Sequence, residues 1–159
     1  MSNELATSAK ITERRVVHDD RWVTAEQVDV EFSNGKKMPN FLMLETKSGG
    51  YVLVCGRTVE GQFILVRQYK MAAGMSLEAI AGGKEEGETW EEAAAREFAE
   101  EAGYDAEEFI QFGGPICPQT DRIKNPVHIF LAQNCTPTTR LAGDEVQGQI
   151  GRASCRERV

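Results

Sequence analysis

The sequence predicts a mixed α/β (α+β) fold, with strands on both sides of one central helix. Short apolar runs bounded by turn residues, such as YVLVC at 51–55 and FILVRQY at 63–69, are typical of strands. Residues 89–102 instead combine helix-start and helix-end signals with apolar residues at helical spacing. Because strands precede and follow this helix, we expect a mixed sheet with the helix packed against it.

Length, charge and cysteine spacing limit the class of protein. The chain has 159 residues, a hydrophobic fraction of 41% and a formal net charge of -7, which favour one globular domain and disfavour a nucleic-acid binder. No apolar run reaches membrane-span length, and the N-terminal MSNELATSAK lacks the apolar region of a signal peptide. The four cysteines show no zinc-ligand spacing, so buried free thiols are expected. These features indicate a cytoplasmic protein without nucleic-acid or membrane partners.

The elements before and after the helix follow from turn residues and apolar runs. Residues 1–12 are polar and are expected to fray. Asn34-Gly35 supplies the positive φ angles of a tight hairpin turn within a strand-like region, residues 14–46. Trp22 in that region is expected to pack as an aromatic core residue, with stacking on a base as the alternative. Return or further strands are expected at residues 38–44, 51–55, 63–69, 109–112 and 127–132, and an extended segment at residues 76–81.

Local chemistry predicts the limits and the faces of the helix. Thr89 is a suitable N-cap, with Glu92 at the third position of a capping box. Gly103 follows the last turn, where a left-handed residue is favoured. At about 100° per residue, the helix has a predicted buried face and an opposite, wetter face. The buried face comprises Trp90, Ala93, Ala94 and Phe98, and the opposite face comprises Glu92, Arg96, Ala99 and Glu100.

Two glutamates interrupt the apolar face of the helix. Glu97 and Glu101 are four residues apart and fall between Ala93 and Ala94 on the helical projection. Neither has a basic residue four positions away, so the two carboxylates would repel each other unless a cation lies between them. A solvated acidic helix is the alternative, because charge runs commonly form such surfaces. The geometry favours a divalent-metal site.

The same stretch resembles the Nudix box. Each fixed position of that pattern, from the first glycine through REFAEEAGY at 96–104, is filled by Gly82, Glu88, Arg96, Glu97, Glu100, Glu101 and Gly103. The two aliphatic positions hold Phe98 and Tyr104, which are apolar but larger than usual. The resemblance implies an α/β/α sandwich with a mixed sheet. It also implies Mg²⁺-dependent hydrolysis, with Mn²⁺ as the other candidate ion, of a nucleoside diphosphate linked to another moiety.

Matching positions imply metal ligands. In the Nudix family, the positions of Glu97 and Glu101 provide the principal ligands, and the position of Glu100 assists them. The carbonyl of the residue before the first box glycine, here Ala81, is often a further ligand. Carboxylate and carbonyl oxygens are the donors that hard divalent cations prefer.

Two further catalytic assignments depend on the resemblance. Arg96 corresponds to a residue that orients a carboxylate, here Glu88, rather than binding metal itself. Related enzymes also place a glutamate in a late loop, as base or metal ligand. Asp144 and Glu145 are the candidates in this chain, and Glu145 is favoured.

Segments upstream of the box resemble the ADP-ribose pyrophosphatase group. RQYK at 67–70 and SLEAIAGG at 76–83 match the group's R-Q-Y-R and E-x-P-A-G segments, except that Ile80 replaces a proline and a lysine replaces the final arginine. Arg67 and Glu78 are therefore candidate substrate-binding residues, with ordinary surface roles as the alternative. The implied reaction converts ADP-ribose to AMP and ribose 5-phosphate. GDP-mannose or another nucleotide sugar, or a non-catalytic nucleotide-sugar-binding module, are the alternatives.

Three segments are expected along the chain. Residues 1–46 form an N-terminal strand extension, which often swaps between subunits in the resembled group, so a homodimer is expected. Residues 47–150 form the Nudix hydrolase domain. Residues 151–159, GRASCRERV, are arginine-rich and lack apolar periodicity. They are expected to be a non-native end of a truncated domain, or else a disordered tail.

Overall fold

The structure is a computed structural model that describes residues 6–138 and the backbone of residues 149–154. It contains two compact units. The first holds residues 6–50 and 117–126, and the second holds the other described residues. In the described part of the chain, no helix has the length and apolar character needed to cross a membrane.

The elements, in chain order, are β1 (Ala9–Asp19), β2 (Val23–Phe32), β3 (Lys37–Thr46), β4 (Tyr51–Thr58), β5 (Gln62–Lys70), β6 (Gly74–Glu78), β7 (Ile80–Gly83), α1 (Trp90–Ala102), β8 (Tyr104–Asp105), β9 (Glu108–Gln111), β10 (Ile123–Lys124), β11 (Val127–Pro137) and β12 (Gln149–Ser154). Among the described residues α1 is the single helix, so a second helical layer of the implied sandwich is not seen there. Two mixed sheets and one helix confirm the predicted mixed α/β class.

The first unit is a four-stranded sheet with the order β1-β2-β3-β10. The first three strands are antiparallel, and β10 runs parallel to β3. The expected hairpin turn is present, with φ of 80° at Gly35, but Asn34 does not adopt the positive φ expected of it. The expectation that residues 9–12 fray is wrong, because β1 begins at Ala9, which pairs with Phe32.

Trp22 does not pack as expected. Its side chain is 67% exposed, and the Arg21 guanidinium lies 4.6 Å from the ring centroid. The reason is the turn between β1 and β2, where one carboxylate oxygen of Asp20 accepts the backbone N–H groups of Trp22 and Val23 at 2.7 and 2.8 Å. These bonds fix the backbone of the turn by local chemistry, so the position of Trp22 does not depend on burying its ring.

The second unit contains a mixed eight-stranded sheet. Its main order is β12-β5-β4-β11-β8, with β6 on β5, β7 on β4 and β9 on β11. β4 and β11 are parallel, and the other pairs are antiparallel. The expected tail at residues 151–159 overlaps β12, which pairs with β5 through residues 149–154. Residues 155–159 lie outside the described residues.

The helix packs on this sheet through small residues and the aromatic ring of Phe98. Phe98 lies against Gly56 of β4, where an added Cβ atom would be 2.4 Å from the ring. Phe98 is fully buried and meets Phe109 edge to face at 5.9 Å between centroids. Ala99, expected on the wetter face, is buried as well. The sheet therefore covers a wider arc of α1 than the predicted buried face, which comprised Trp90, Ala93, Ala94 and Phe98.

The thiols are only partly buried. Cys135 is buried and Cys55 is intermediate, and burial raises the pKa of both thiols above the ordinary value. Cys117 is exposed, so the expectation of buried thiols is wrong for this residue. Residues 112–122 connect β9 to β10, and every residue among them, including Cys117, is exposed. Cys155 lies outside the described residues.

Candidate active site

Helix α1 begins and ends where the sequence predicts. Glu92 N–H donates to Thr89 Oγ1 at 3.2 Å, and Thr89 N–H donates to Glu92 Oε2 at 2.7 Å, which completes the capping box. The hydrogen bonds from Thr89 lower the pKa of Glu92 below its ordinary value. Gly103 adopts φ of 65° and donates its N–H to Ala99 O at 3.0 Å. These caps fix the axial position of every glutamate on the helix.

Arg96 is the centre of an ionic network. Its Nε and Nη2 atoms donate to Glu88 Oε1 and Oε2 at 2.7 and 3.2 Å, as a two-pronged contact. Its Nη1 atom donates to Glu97 Oε1 at 2.9 Å and to Glu100 Oε2 at 3.1 Å. Its Nη2 atom also donates to Gly83 O at 2.9 Å. The expected contact between Arg96 and Glu88 is therefore present, and the same guanidinium serves two further carboxylates.

The pKa values of Arg96 and Glu88 are shifted by these shared hydrogen bonds. The bonds to Glu88, and next those to Glu97, raise the pKa of Arg96, while burial opposes the rise. In return, the bonds from Arg96 lower the pKa of Glu88. Arg96 and Glu97 are mostly enclosed, with side chains 22% and 13% exposed. One positive group faces three carboxylates at hydrogen-bond distance, so the network retains an excess of negative charge.

Glu97 and Glu101 both reach the backbone of β7. Glu97 lies directly over Gly82, where an added Cβ atom would be 1.9 Å from its carboxyl carbon. Ala81 N–H donates to Glu101 Oε2 at 3.3 Å. The two carboxylates are thus stacked along α1 and directed at consecutive residues of one strand. The small residues at positions 81 and 82 leave room for them.

Glu97 has a basic neighbour at the adjacent position, although no basic residue lies four positions away. Arg96 Nη1 contacts both Glu97 and Glu100. The network still holds more carboxylates than guanidinium groups, and this excess, rather than an unpaired Glu97, favours a cation.

The donor set fits a divalent cation by its chemistry. Glu97, Glu100 and Glu101 offer carboxylate oxygens, which Mg²⁺ and Mn²⁺ prefer. The room above Gly82 is occupied by a carboxylate rather than by a Cβ atom. Within the described residues, no group of three or more Asp, Glu, His or Cys side chains stands close enough together to form a ready metal site. Glu97, Glu100 and Glu101 lie on one helix, so side-chain rotation is what would bring their oxygens together.

The two substrate-binding candidates lie on one hairpin but not on one face. Arg67 of β5 pairs with Leu77, and Glu78 of β6 pairs with Val66. Paired residues share a face and successive residues alternate, so Glu78 faces the same side as the buried Val66 and Arg67 faces the opposite side. Glu78 accepts a hydrogen bond from Ser76 and lies 3.8 Å from the Lys70 ammonium. Arg67 is exposed.

Sequence reasoning missed a stack beside the box. Lys84 Nζ lies 5.6 Å from the Trp90 ring centroid. Trp90 in turn stacks on His128 of β11, with centroids 4.0 Å apart and rings 14° from parallel. His128 is buried, and burial lowers its pKa. Lys84 was a visible signal, since it is one of only two basic residues between Gly82 and Tyr104. Glu145 and Asp144, by contrast, lie outside the described residues.

Comparison with known proteins identifies the family to which this chain belongs. The NUDIX domain model matches residues 48–149. This chain belongs to the Nudix family. The match includes the whole Arg96 network and the β7 residues that its carboxylates meet.

Two curated proteins and one solved structure are similar to this Nudix chain. ADP-ribose pyrophosphatase of Bacillus subtilis (strain 168) is 35% identical over 108 residues, which is 66% of this chain and 55% of that protein. ADP compounds hydrolase NudE of Escherichia coli (strain K12) is 32% identical over 126 residues, 79% of this chain and 66% of that protein. The chain thus spans less than two thirds of the length of these relatives.

The solved structure supports the fold. The crystal structure of an ADP compounds hydrolase superposes with a TM-score of 0.74 at 24% sequence identity, covering 94% of this chain and 80% of that one.

Proposed function

We propose that this Nudix chain is a metal-dependent hydrolase that cleaves the diphosphate of ADP-ribose, with Mg²⁺ as its ion and Mn²⁺ as a substitute. The products are AMP and ribose 5-phosphate. The hydroxyl of a water joins one phosphorus, the bond from that phosphorus to the bridging oxygen breaks, and the bridging oxygen leaves on the other phosphate with release of a proton. A bound divalent cation neutralises the diphosphate and activates the attacking water.

The Arg96 network is the observation that carries this proposal. Three carboxylates share one guanidinium, and Glu97 and Glu101 converge on consecutive residues of β7. An excess of enclosed carboxylate at hydrogen-bond distance is costly without a cation. In the proposed site Glu97, Glu100 and Glu101 hold the ion, together with the carbonyl of Ala81.

Arg96 has a different task from the glutamates. Its two-pronged contact with Glu88 anchors the guanidinium, since Arg is suited to such planar contacts. Its remaining N–H groups then orient Glu97 and Glu100. Groups that orient metal ligands in this way tune both the affinity and the geometry of the ion.

Three residues outside the helix complete the proposal. Glu78 shares the buried side of its hairpin with Val66, so it is the stronger candidate for contact with substrate near α1. Arg67 faces the other side, so a ligand that touches both must extend past the edge of the hairpin. Glu145 is proposed as a base or further ligand on the family resemblance alone.

ADP-ribose is preferred among nucleotide sugars because of the relatives. One is named an ADP-ribose pyrophosphatase and the other an ADP compounds hydrolase. Both names share the ADP group, which supports an adenine nucleotide over GDP-mannose. The segments at 67–70 and 76–83 support the same choice.

A direct assay tests the proposal. The protein is incubated with Mg²⁺ and, in separate reactions, with ADP-ribose and GDP-mannose, and mononucleotide release is followed by chromatography. AMP release from ADP-ribose is expected, whereas faster GMP release would reassign the substrate. Ligand binding without any mononucleotide release would support a non-catalytic binding module instead.

Matched glutamate variants test the site. Glu101→Gln keeps the size of the side chain but removes its charge, and we expect turnover to fall by more than about 100-fold, since groups that merely orient metal ligands already cost about 10–100-fold. Glu91→Gln, an exposed change in the first turn of the same helix, should leave turnover unchanged. Full activity of Glu101→Gln would contradict the ligand assignment.

We also propose a homodimer formed through the first unit. Its edge strand β1 is exposed along its whole length, and Val16 and Val17 are 60% and 51% exposed. An exposed edge strand with apolar side chains is a template for pairing with another chain.

A further inference from the structure

The loop between β7 and α1 is closed by Lys84. Lys84 Nζ donates to the backbone carbonyl of Glu88 at 2.9 Å and to that of Glu85 at 3.4 Å. The loop also contains Gly87 at φ of 86° and a backbone bond from Glu88 N–H to Glu85 O at 3.4 Å. The ammonium group of Lys84, at the start of the loop, therefore holds the backbone of Glu88 at the end of the loop.

The same ammonium group also lies over a ring of the aromatic stack. It lies within the approximately 6 Å over which a cation is attracted to the face of a tryptophan ring. Trp90 itself is stacked on His128, which belongs to β11 in the core of the sheet. Because His128 is buried in a strand, the stack gives Lys84 an anchor that does not move with the loop.

The position of Glu88 depends on this closure. Its backbone carbonyl accepts from Lys84, and its carboxylate Oε2 accepts from Glu85 N–H at 2.9 Å. With both its backbone and its side chain held, Glu88 presents Oε1 to Arg96 Nε at 2.7 Å. Arg96 then contacts Glu97 and Glu100. A continuous series of contacts thus leads from Lys84 to the proposed metal-binding carboxylates.

We propose that Lys84 is a positioning residue of the site, which holds Glu88, and through it Arg96, in the arrangement that presents Glu97 and Glu100 to a divalent cation. Lys84 acts on the protein backbone and not on substrate. This inference rests on the proposed function for the identity of the ion, but its Mn²⁺-binding test needs no substrate.

The test measures Mn²⁺ binding to the full chain without nucleotide, by the loss of the free-ion electron paramagnetic resonance signal. Lys84→Met keeps the length of the side chain but removes the ammonium, and should weaken Mn²⁺ binding about tenfold, the low end of the effect of groups that orient ligands. Lys84→Arg keeps a cationic donor that a tryptophan ring also attracts, so it should weaken Mn²⁺ binding less than Lys84→Met does. Lys37→Met, an exposed change in β3, is the matched control and should bind as wild type does.

Hydrogen exchange shows whether the loop is the route of the effect. In Lys84→Met, peptides covering residues 84–88 should exchange faster, while those covering α1 keep wild-type protection. Equal Mn²⁺ affinity of Lys84→Met and wild type would overturn the proposal, whatever the loop exchange. So would a raised KM with unchanged Mn²⁺ affinity, since that pattern would mean direct contact with substrate.

The outcomes separate this inference from the proposed function. If wild type binds Mn²⁺ and Lys84→Met weakens it, but no nucleotide sugar is hydrolysed, the role of Lys84 stands and the hydrolase proposal fails. If ADP-ribose is hydrolysed but Lys84→Met binds Mn²⁺ as wild type does, the hydrolase proposal stands and the role of Lys84 fails. A wild-type chain that binds no Mn²⁺ overturns the role of Lys84 directly.

Discussion

Glycine at position 82 is required by the carboxylate above it, not by its own backbone. An alanine Cβ atom there would lie 1.9 Å from the carboxyl carbon of Glu97 and 2.1 Å from its Oε1. Contacts that short do not occur, so Glu97 would have to leave its place beside Arg96. A box glycine that looks like a turn residue in the sequence is therefore the space in which a proposed metal ligand lies.

Gly82→Ala should lower turnover of ADP-ribose by about 100-fold, because a misplacement of about 1 Å at a reacting site has that scale of effect. The measurement is kcat at saturating Mg²⁺, together with thermal unfolding to show that the sheet is intact. Gly114→Ala is the matched control, since a Cβ atom there meets nothing within 4 Å. An active Gly82→Ala protein would mean that Glu97 works equally well from another rotamer.

At the scale of elements, α1 is joined to β11 by stacked rings as well as by its buried alanines. His128 is one of these rings, and burial lowers its pKa below the ordinary value of about 6.5. Above pH 6.5 the imidazole is neutral in both the folded and the unfolded chain, so it adds no pH dependence. Below that pH the unfolded chain binds a proton that the folded chain still excludes, so the free energy of unfolding falls until the lower, folded pKa is passed.

His128→Phe should remove this component of the pH dependence. Phenylalanine keeps a ring against Trp90 but cannot take up a proton. Urea unfolding of both proteins from about pH 7.5 to about pH 5.5 should show wild type losing more stability than the variant. The pKa values of Glu92 and Glu88 are lowered by their hydrogen bonds, so these two carboxyls titrate at more acidic pH and do not obscure the comparison. Parallel stability curves would contradict the prediction.

Across the whole molecule, the sequence predicted correctly the features that are determined by residues close together in the chain. The limits of α1 follow from Thr89, Glu92 and Gly103, which act within a few residues, and the sequence placed them correctly. The hairpin at Gly35 was predicted for the same reason. The ends of strands were less accurate, because pairing with a neighbour extends a strand past its own apolar run, as β1 shows at Ala9.

Contacts between distant parts of the chain, and the rotamer of one long side chain, account for the errors. Ala99 is buried because the sheet covers a wide arc of α1, which a helical projection cannot show. The contact of Arg96 with Glu97 depends on the rotamer of a long side chain. The Lys84 stack depends on His128, which lies 44 positions further along the sequence and meets Trp90 only when β11 joins the sheet.

The proposed dimer gives a prediction at this scale. A double variant, Val16→Glu with Val17→Glu, places two charges on the exposed edge strand β1, at the point where its register against β2 shifts between Val16 and His18. A second copy that pairs with this part of β1 would then bury an unpaired carboxylate, which is costly. Light scattering after size-exclusion chromatography should show the mass of two chains for wild type and of one chain for the double variant.

A matched change keeps this test specific. Val59, in the turn between β4 and β5, is 66% exposed but belongs to the second unit. Val59→Glu should therefore leave the mass of two chains unchanged, because its charge lies outside the β1 edge. A wild-type mass of one chain across a wide concentration range would refute the dimer. A Val59→Glu protein that dissociates as the double variant does would move the interface away from β1.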